Sequence, residues 1–381
     1  MSRVIPFGMP MIGEEERAAV DAVLRNPILV HGPLIKEFEA KFAEHVGAPH
    51  AVAVSSCTAG MHLTWMAKGI GEGDEVIVPA QTHVATAHAV ELMGAKPVFA
   101  DAGLDGNIDV GAIERSITSR TKGISVVHYL GAPVDMKAVM ELATTYDIPV
   151  LEDCALAVGT TIDGVHAGLW GDVGCFSFYP VKHMTTAEGG MIITKDAELA
   201  DRLGKLRAFG QDRTFQERTV PGVYDIVMLG MNYRINELQA VMGIEQLKKV
   251  DGFVAARRIN ATHLTARLNE IGRVRVLPTD TDIERQSCYC LSVVLDADLE
   301  SKRIDIVEHL RANGVGTSVY YPSAVPMLTY YRQKYGYTAD QFPNAHAIST
   351  RSIALPVGPH LDRDDMDYIA DAFATALKEI A

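Results

Sequence analysis

The chain has 381 residues, 48% of them hydrophobic and 22% charged, a composition typical of globular proteins and unlike that of disordered ones. Its 35 Lys and Arg against 48 Asp and Glu give a formal net charge of −13, which argues against nucleic acid and anionic membranes as partners. Any anionic ligand must therefore be bound by local groups. Residues 1–16 lack an apolar signal region, and no stretch has the roughly 18 apolar residues of a membrane span, so we expect a cytoplasmic protein.

The cysteines and histidines form no pattern typical of a disulfide framework or a metal site. The five cysteines are odd in number, and Cys288 and Cys290 are the only close pair. His83 and His88 lack the acid that follows the first histidine of the zinc-binding HExxH motif. We therefore expect free thiols in a reducing compartment and no bound metal.

From about residue 50, short β-branched runs alternate with amphipathic stretches of helical length. Strands are predicted at 50–54, 75–79, 96–101, 123–129, 149–152, 173–179 and 190–194. Helices are predicted between them, near 58–69, 83–93, 109–118 and 135–147. This alternation predicts an α/β fold with a mostly parallel sheet and crossover helices on its faces. Ligands of such sheets bind at the carboxyl ends of the strands.

The pattern changes after Asp251-Gly252, which predicts a second domain. Helices at 199–208 and 234–249 precede this point. A long helix at 253–270, a strand at 289–295, a helix at 303–313, a strand at 316–321 and a terminal helix from residue 364 follow it, with a long connection over 322–359. We therefore expect a large α/β domain over 1–250, including an N-terminal helical segment, and a smaller α+β domain over 251–381.

Polar residues follow two of the predicted strands. Residues 55–60, Ser-Ser-Cys-Thr-Ala-Gly, open a helix after strand 50–54, which suits a phosphate, although plain helix capping explains the serines equally well. Glu152 and Asp153 close strand 149–152, where a carboxylate can pair with a ligand cation or cap the next helix.

The segment 174–190 presents one lysine, Lys182, in a Pro-containing loop between an aromatic strand and Gly189-Gly190. Burial beside apolar strands favours the neutral amine, which can act as nucleophile and base, whereas an ordinary surface lysine stays charged. His83 begins the helix at 83–93, where its flat ring can stack on a planar cofactor or have a purely structural role.

In chain order, these motifs resemble the pyridoxal-phosphate-dependent (PLP-dependent) sugar aminotransferases of the DegT/DnrJ type, which have fold type I of the aspartate aminotransferase superfamily. The spacing that decides the alignment is Ser177 to Lys182. The similarity extends nearly end to end, through residues 31–33, 38–39, 54–62, 73–79, 152–153, 176–190, 230–234 and 354–356. Residues 55–62 and 128–133 are most similar to members that aminate a 4-keto pentose in the aminoarabinose pathway, and perosamine-type members are also similar.

The resemblance implies a role for each matching residue. Lys182 would form the Schiff base with PLP and carry a proton, Asp153 would keep the pyridine nitrogen protonated, and His83 would stack on the ring. Glu188 and Arg234 match positions near the sugar substrate. The cofactor phosphate would be bound by Cys57, Thr58, Ala59 and Ser177, and by Asn232 from the neighbouring subunit. This last contact implies a homodimer with shared active sites.

Two positions depart from the family pattern. Relatives commonly carry Gln or His three residues after the aspartate, in contact with the ring hydroxyl of the cofactor, and this chain has Leu156 there. The usual Ser-Gly-Thr phosphate turn has Cys57 in place of glycine, so a side chain must be accommodated. Leu156 removes a hydrogen bond to the cofactor, which affects its electronic tuning or the class of substrate.

The implied activity is transfer of an amino group from L-glutamate to a nucleotide-linked 4-keto sugar, in amino-sugar biosynthesis for lipopolysaccharide, O-antigen or an antibiotic. Three alternatives stay open: amination of a keto-cyclitol, 3-dehydration of a sugar, and binding without turnover on the same fold. The dehydratase branch has histidine in place of the lysine, so a shift of one residue, from Lys182 to His183, would favour it. Substrate choice is expected to depend on loops near 210–232 and 320–345.

Overall fold

The computed structural model describes residues 3–213, 217, 219–220, 222–277 and 284–380. Within these residues no helix combines the length and the apolar character needed to cross a bilayer. The predicted loop at 210–232 is therefore described only in part, because residues 214–216, 218 and 221 lie outside the described ranges.

The larger of the sheets has seven strands. They are β1 (His50–Val54), β2 (Glu75–Pro79), β3 (Lys96–Ala100), β4 (Thr121–Val127), β5 (Val150–Asp153), β8 (Val173–Ser177) and β9 (Gly190–Thr194), and their order is β1-β9-β8-β5-β4-β2-β3. Strands β8, β5, β4, β2 and β3 pair in parallel, which confirms the predicted mostly parallel sheet. Strand β9 is antiparallel to both its neighbours, since the loop at 178–189 contains no crossover helix.

Helices flank this sheet. They are α1 (Glu14–Leu24), α2 (Leu34–Val46), α3 (Cys57–Ala67), α4 (Val84–Glu91), α5 (Val110–Ser116), α6 (Met136–Tyr146), α7 (Ala197–Leu206) and α8 (Glu237–Leu247). Helices α3 to α6 each connect two strands of the sheet, as the alternating sequence pattern predicts. Helix α9 (Val250–Ile271) begins where the domain boundary is predicted.

The remaining elements form a second sheet and its helices. Strands β10 (Val274–Val276), β12 (Leu291–Leu295) and β13 (Ser352–Leu355) pair antiparallel and are accompanied by α10 (Arg303–Ala312), α12 (Pro343–Arg351) and α13 (Arg363–Ile380). Helix α11 (Thr329–Tyr335) packs on the large sheet instead, where its Tyr331 contacts Phe99 of β3. The short strands β6 (Thr161–Ile162), β7 (Val165–His166) and β11 (Glu284–Arg285) form a third, small sheet. Ile5 pairs with Val315 and packs in the apolar core of the second sheet, although it lies in the N-terminal half of the sequence.

One predicted strand is wrong. Residues 316–321 do not form a strand, because only Ser318 pairs there, with Ala354. The strand beside β12 is instead β13, which lies inside the predicted connection at 322–359. The two strands pair antiparallel, with Leu291 opposite Leu355. The sequence pattern missed β13 because four buried residues are too short a run to show a period.

A cluster of phenylalanines fixes the strand that leads into Lys182. Helix α2 buries Phe38 and Phe42 at a spacing of four residues, so both rings lie on one face. The Phe42 ring lies 5.1 Å from that of Phe176 on β8 and 5.5 Å from that of Phe178, and all four rings are 0% exposed. Their packing anchors the end of β8, where the loop that carries Lys182 begins.

We expect Phe42→Ala to destabilise the protein by ~3–5 kcal/mol, because it leaves a cavity among buried aromatic rings. Urea unfolding followed by circular dichroism measures this loss. Tyr146→Ala is the matched control, since Tyr146 is 45% exposed and its removal opens no cavity. Equal stability of the two variants would show that the cluster does not anchor β8.

Candidate active site

A cavity of about 460 Å³ opens at the carboxyl ends of the central parallel strands. Strand β5 contributes Asp153 and strand β8 contributes Ser177 to its wall, as expected for a ligand site of such a sheet. The remaining lining residues come from the first turns of α3 and α4, the loop before α4, the end of β4, the loops after β5 and β8, and the second half of the chain. Those with polar or aromatic side chains are Ser56, Thr58, Thr82, His83, Tyr179, Lys182, Glu188, Tyr289, Tyr320 and Tyr321.

The first turn of α3 forms one end of the cavity. Ser56 caps the helix, and its Oγ accepts a hydrogen bond of 3.0 Å from the Ala59 N–H. The N–H groups of Cys57 and Thr58 belong to the same turn and have no carbonyl partner within the helix. Since both residues line the cavity, this turn can hold an anion as well as cap the helix.

Gly190 allows β9 to pass directly beneath that turn. A Cβ atom at this position would lie 2.5 Å from the Ser56 carbonyl carbon and 2.6 Å from the Cys57 nitrogen, closer than backbone atoms tolerate. Any side chain here would therefore push the first turn of α3 away from β9. The close approach explains the glycine at the re-entry into the strand after Lys182.

Lys182 lies in the loop that follows β8 and lines the cavity. Its backbone N–H donates a hydrogen bond of 2.9 Å to the Tyr179 carbonyl, which closes a tight turn. Its Nζ lies 5.2 Å from the centre of the Tyr289 ring. Burial lowers the pKa of the Lys182 amine, and the nearby Asp153 carboxylate offsets only part of that shift. Burial thus shifts this amine towards its neutral, nucleophilic form.

His183 lies on the other side of the loop backbone and does not line this cavity. Its Nε2 is 3.1 Å from the Ser287 carbonyl oxygen, so the ring must donate through Nε2. Burial lowers the pKa of the imidazole well below its usual value. The alignment that places Lys182 in the site therefore agrees with the geometry, and the alignment that places His183 there does not.

Asp153 ends β5 with its carboxylate almost fully buried, at 4% exposure. Its Oδ1 accepts a hydrogen bond of 3.0 Å from the Ala155 N–H, and the Cys57 Sγ lies 3.8 Å from the same oxygen. Its Oδ2 accepts a hydrogen bond of 2.8 Å from the Thr86 hydroxyl. The sequence alone does not single out Thr86. Its position three residues after His83, at the start of α4, places the two residues one helical turn apart.

His83 and Leu156 lie on the cavity wall. His83 caps α4 by accepting the Ala85 N–H at its Nδ1, and its ring meets the Tyr321 ring edge-on at 5.7 Å between centres. Loss of surrounding water lowers the pKa of the His83 imidazole. Leu156 is 3% exposed and adds an apolar surface where relatives carry a polar side chain, as the sequence comparison with the family pattern implies.

Three tyrosines from the second half of the chain, Tyr289, Tyr320 and Tyr321, complete the cavity. The Tyr289 and Tyr320 hydroxyls are 2.8 Å apart, and the Tyr320 carbonyl accepts hydrogen bonds from Gln81 Nε2, at 3.0 Å, and from the Tyr129 hydroxyl. Burial raises the pKa of Tyr321 well above its usual value, so the phenol stays protonated. The sequence places Tyr289 at the start of the predicted strand 289–295, and Tyr320 and Tyr321 at the end of the wrongly predicted strand 316–321, where the expected substrate loop begins.

The structure separates two of the candidate residues from Lys182. Asn232 is exposed and pairs with Ala208 outside the cavity. Arg234 lies in a different cavity, of about 260 Å³, with its guanidinium 5.0 Å from the centre of the Phe209 ring. Glu188, in contrast, lines the Lys182 cavity. Within one chain, therefore, Asn232 and Arg234 do not reach the cavity that holds Lys182.

A buried group of possible metal ligands, His128, Glu152 and Cys154, lies beside the site. Glu152 already accepts hydrogen bonds from the N–H groups of Gly168, Trp170 and Gly171, and its Oε2 is 3.0 Å from His128 Nε2. The other ring nitrogen of His128 accepts the Val134 N–H at 3.1 Å. These bonds occupy the ligand atoms of both residues, so the group fixes the segment between β7 and β8 and the turn after β4.

The chemistry of the cavity fits PLP. The first turn of α3, with the Thr58 and Ser177 hydroxyls, offers donors to a phosphate, while Asp153 offers a buried carboxylate to a protonated ring nitrogen. Lys182 offers an amine to an aldehyde, and burial lowers the pKa of this amine. These groups match the phosphate, the ring nitrogen and the aldehyde of the cofactor.

Comparisons with known proteins agree with this geometry. The model of the DegT/DnrJ/EryC1/StrS aminotransferase family matches residues 10–374. The spore coat polysaccharide biosynthesis protein SpsC of Bacillus subtilis is 36% identical over 98% of this chain and 97% of its own length.

Two solved structures are similar over nearly their whole length. The putative sugar aminotransferase Spr1654 of Streptococcus pneumoniae, solved in PMP and PLP forms, is 27% identical, and its PMP form has a TM-score of 0.93 over 99% of this chain and 100% of its own. PseC of Helicobacter pylori, an aminotransferase of pseudoaminic acid biosynthesis, is 26% identical, with a TM-score of 0.93 over the same shares of the two chains.

We expect Gly190→Ala to weaken PLP binding roughly tenfold, because the added Cβ displaces the first turn of α3. Titration of the apoenzyme with PLP, followed by absorbance, measures the dissociation constant. Gly252→Ala, in helix α9, is the matched control, since a Cβ there meets nothing within 4 Å. If both variants bind PLP as the wild type does, the turn is not the phosphate site.

Proposed function

Because the chain belongs to the DegT/DnrJ/EryC1/StrS aminotransferase family, we propose that it transfers the amino group of L-glutamate to the ketone of a nucleotide-linked 4-keto sugar. It is a PLP-dependent sugar aminotransferase of fold type I. The observation that supports the proposed site best is that Lys182 and Asp153 line one cavity together with the first turn of α3. The product is an amino sugar for lipopolysaccharide, O-antigen or an antibiotic.

PLP, when bound, supplies an electron-withdrawing ring that stabilises negative charge on the carbon that loses its proton. In the proposed mechanism, Lys182 Nζ accepts the proton from the α-carbon of the donor amino acid and later returns a proton on the acceptor side. The lowered pKa of Lys182 favours this role, because an amine accepts a proton only in its neutral form.

Asp153 is proposed to hold the ring nitrogen of the cofactor in its protonated form. A carboxylate with 4% exposure needs a cationic or hydrogen-bonding partner, and the cavity side is open to one. His83 is proposed to cover the face of the ring, and Cys57, Thr58, Ala59 and Ser177 to bind the phosphate. The raised pKa of the buried Cys57 thiol keeps it neutral beside these anions.

We propose that the enzyme acts as a homodimer in which Asn232 reaches the cofactor phosphate of the partner subunit and Arg234 lies near the partner's sugar substrate. Both residues lie outside the Lys182 cavity of their own chain. Large apolar side chains are exposed in two segments of the chain, 24–30 and 220–229, the second of which directly precedes Asn232: Leu24, Ile28, Leu29, Val30, Val220, Val223, Tyr224, Ile226, Val227 and Leu229. Val30 lines the same cavity as Arg234. Such a surface is typical of a face that another subunit covers.

A cytoplasmic location is proposed from the thiols. All five cysteines are free and buried, and such thiols persist in a reducing compartment. The net charge of −13 is compatible with an anionic sugar nucleotide, because the proposed donors are local: helix N–H groups, hydroxyls and Arg234.

We expect the purified protein to show the visible absorption of PLP attached to Lys182, and L-glutamate to bleach it. Lys182→Ala should lose this spectrum and lower turnover by roughly 10²–10⁴-fold or more, since the base and the attachment point disappear together. Lys195→Ala, which removes an exposed lysine, should keep both. A colourless protein would contradict the proposed PLP site. A coloured protein whose spectrum L-glutamate leaves unchanged would contradict only the proposed donor.

A panel of keto-sugar nucleotides and keto-cyclitols, each tested with L-glutamate as the donor, then identifies the acceptor.

We expect inactive Lys182→Ala and Asn232→Ala subunits to complement each other when they are mixed. A mixed dimer would contain one site with an intact lysine and an intact partner asparagine. Random mixing should therefore restore about one quarter of the wild-type sites in a two-fold dimer. Activity after mixing, compared with each variant alone, measures this. Absence of any recovery from subunits that exchange would contradict the shared site.

A further inference from the structure

Two threonine hydroxyls form a row behind the Asp153 carboxylate. Thr86 Oγ1 donates to Asp153 Oδ2 at 2.8 Å, and Thr82 Oγ1 lies 2.9 Å from Thr86 Oγ1. We propose that Thr86, supported by Thr82, is a positioning residue that holds Asp153 in place for the ring nitrogen of PLP. This inference rests on the proposed role of Asp153.

The row of hydroxyls has one possible direction. An ionised carboxylate only accepts hydrogen bonds, so the single proton of the Thr86 hydroxyl is used for Asp153. The Thr86 oxygen must then accept from Thr82, which donates. Hydrogen bonds that point the same way polarise each other, so Thr82 strengthens the bond from Thr86 to Asp153.

The other carboxylate oxygen has a fixed donor as well. Asp153 Oδ1 accepts the Ala155 N–H at 3.0 Å, and the Cys57 thiol, a weak donor, lies 3.8 Å away. Each oxygen is thus bound by one strong donor of the protein, and a carboxylate has about four acceptor positions. The carboxylate is therefore fixed in orientation and keeps acceptor capacity for one partner from the cavity.

Burial makes these donors necessary. Thr82, Thr86 and Asp153 are 1%, 0% and 4% exposed, so water cannot replace a missing hydrogen bond. A buried carboxylate tends to become neutral unless donors stabilise its charge, and a neutral acid would no longer favour a protonated ring nitrogen. Thr86 does not line the cavity. It therefore acts on the cofactor through Asp153 alone.

The helix that carries Thr86 also carries His83. His83 caps α4 through the Ala85 N–H, and the Thr86 N–H donates to the His83 carbonyl at 3.2 Å. One turn of α4 thus sets both the ring proposed to stack on the cofactor and the hydroxyl that holds Asp153. The stacking contact of His83 and the hydrogen bond from Thr86 to Asp153 therefore depend on the same helical turn.

Thr86→Val and Thr86→Ser test the proposal. Valine has the shape of threonine without its hydroxyl, and serine keeps the hydroxyl without the methyl group. We expect Thr86→Val to weaken PLP binding to the apoenzyme roughly tenfold, the value of one charge-assisted hydrogen bond, and Thr86→Ser to stay within about twofold. Thr194→Val, a buried threonine at the far end of β9 bonded to the Asp172 carbonyl, is the control and should bind as the wild type does.

Wild-type affinity in Thr86→Val would overturn the proposal, and so would an equal loss in the serine variant, because packing would then be the cause. If Thr86→Val does not fold, Thr86→Ala decides: it should bind PLP roughly tenfold more weakly than Thr86→Ser, from which it differs only by the hydroxyl, and equal affinity of the two overturns the proposal. PLP titration requires neither an amino donor nor a sugar. Failure of the L-glutamate or sugar assignment therefore leaves this result intact.

Discussion

The site depends on one electrostatic constraint, the burial of the Asp153 carboxylate at the end of β5. A charge with 4% exposure is costly unless hydrogen bonds and an opposite charge compensate it. The Ala155 N–H and the Thr86 hydroxyl supply the hydrogen bonds. The cavity leaves room for the opposite charge, which a protonated pyridine nitrogen would provide in the proposed role of Asp153. Loss of water also lowers the pKa of the Lys182 amine. Burial therefore makes Asp153 require a cationic partner and makes Lys182 a better nucleophile.

The fold brings distant segments of the chain together around Asp153, at the carboxyl ends of the strands of the large sheet. Strand β5 carries Asp153, β8 leads to Lys182, and β9 passes under the first turn of α3 through Gly190. The phenylalanine cluster between α2 and β8 fixes the strand from the opposite side. The second half of the chain closes the cavity with Tyr289, Tyr320 and Tyr321. Anion binding in a chain of net charge −13 therefore depends on the local direction of helix N–H groups and hydroxyls.

Much of this could be predicted from the sequence, because the parallel strands are short apolar runs with polar residues at their ends. The strands at 50–54, 75–79 and 190–194 have the predicted bounds, and Lys182, Asp153, Ser177, Cys57, Thr58 and His83 line one cavity. The antiparallel direction of β9 and the absence of a strand at 316–321 depend on tertiary pairing, which periodicity does not contain. Thr86 was missed because a threonine within a helix has no signal of its own until Asp153 is placed against it. The domain boundary near residue 250 and the roles of all the site residues, from Lys182 and Asp153 to Asn232, Glu188 and Arg234, stay predictions.

The central claim is that Lys182 is the residue to which PLP is attached, and chemical trapping tests it most directly. Reduction of the holoenzyme with borohydride makes the link between lysine and cofactor permanent, and mass spectrometry of the digested protein identifies the modified residue. The account predicts the pyridoxyl group on the peptide that contains Lys182, at Lys182 and at no other lysine. Modification of a different lysine, or a coloured holoenzyme that yields no modified lysine, would contradict it.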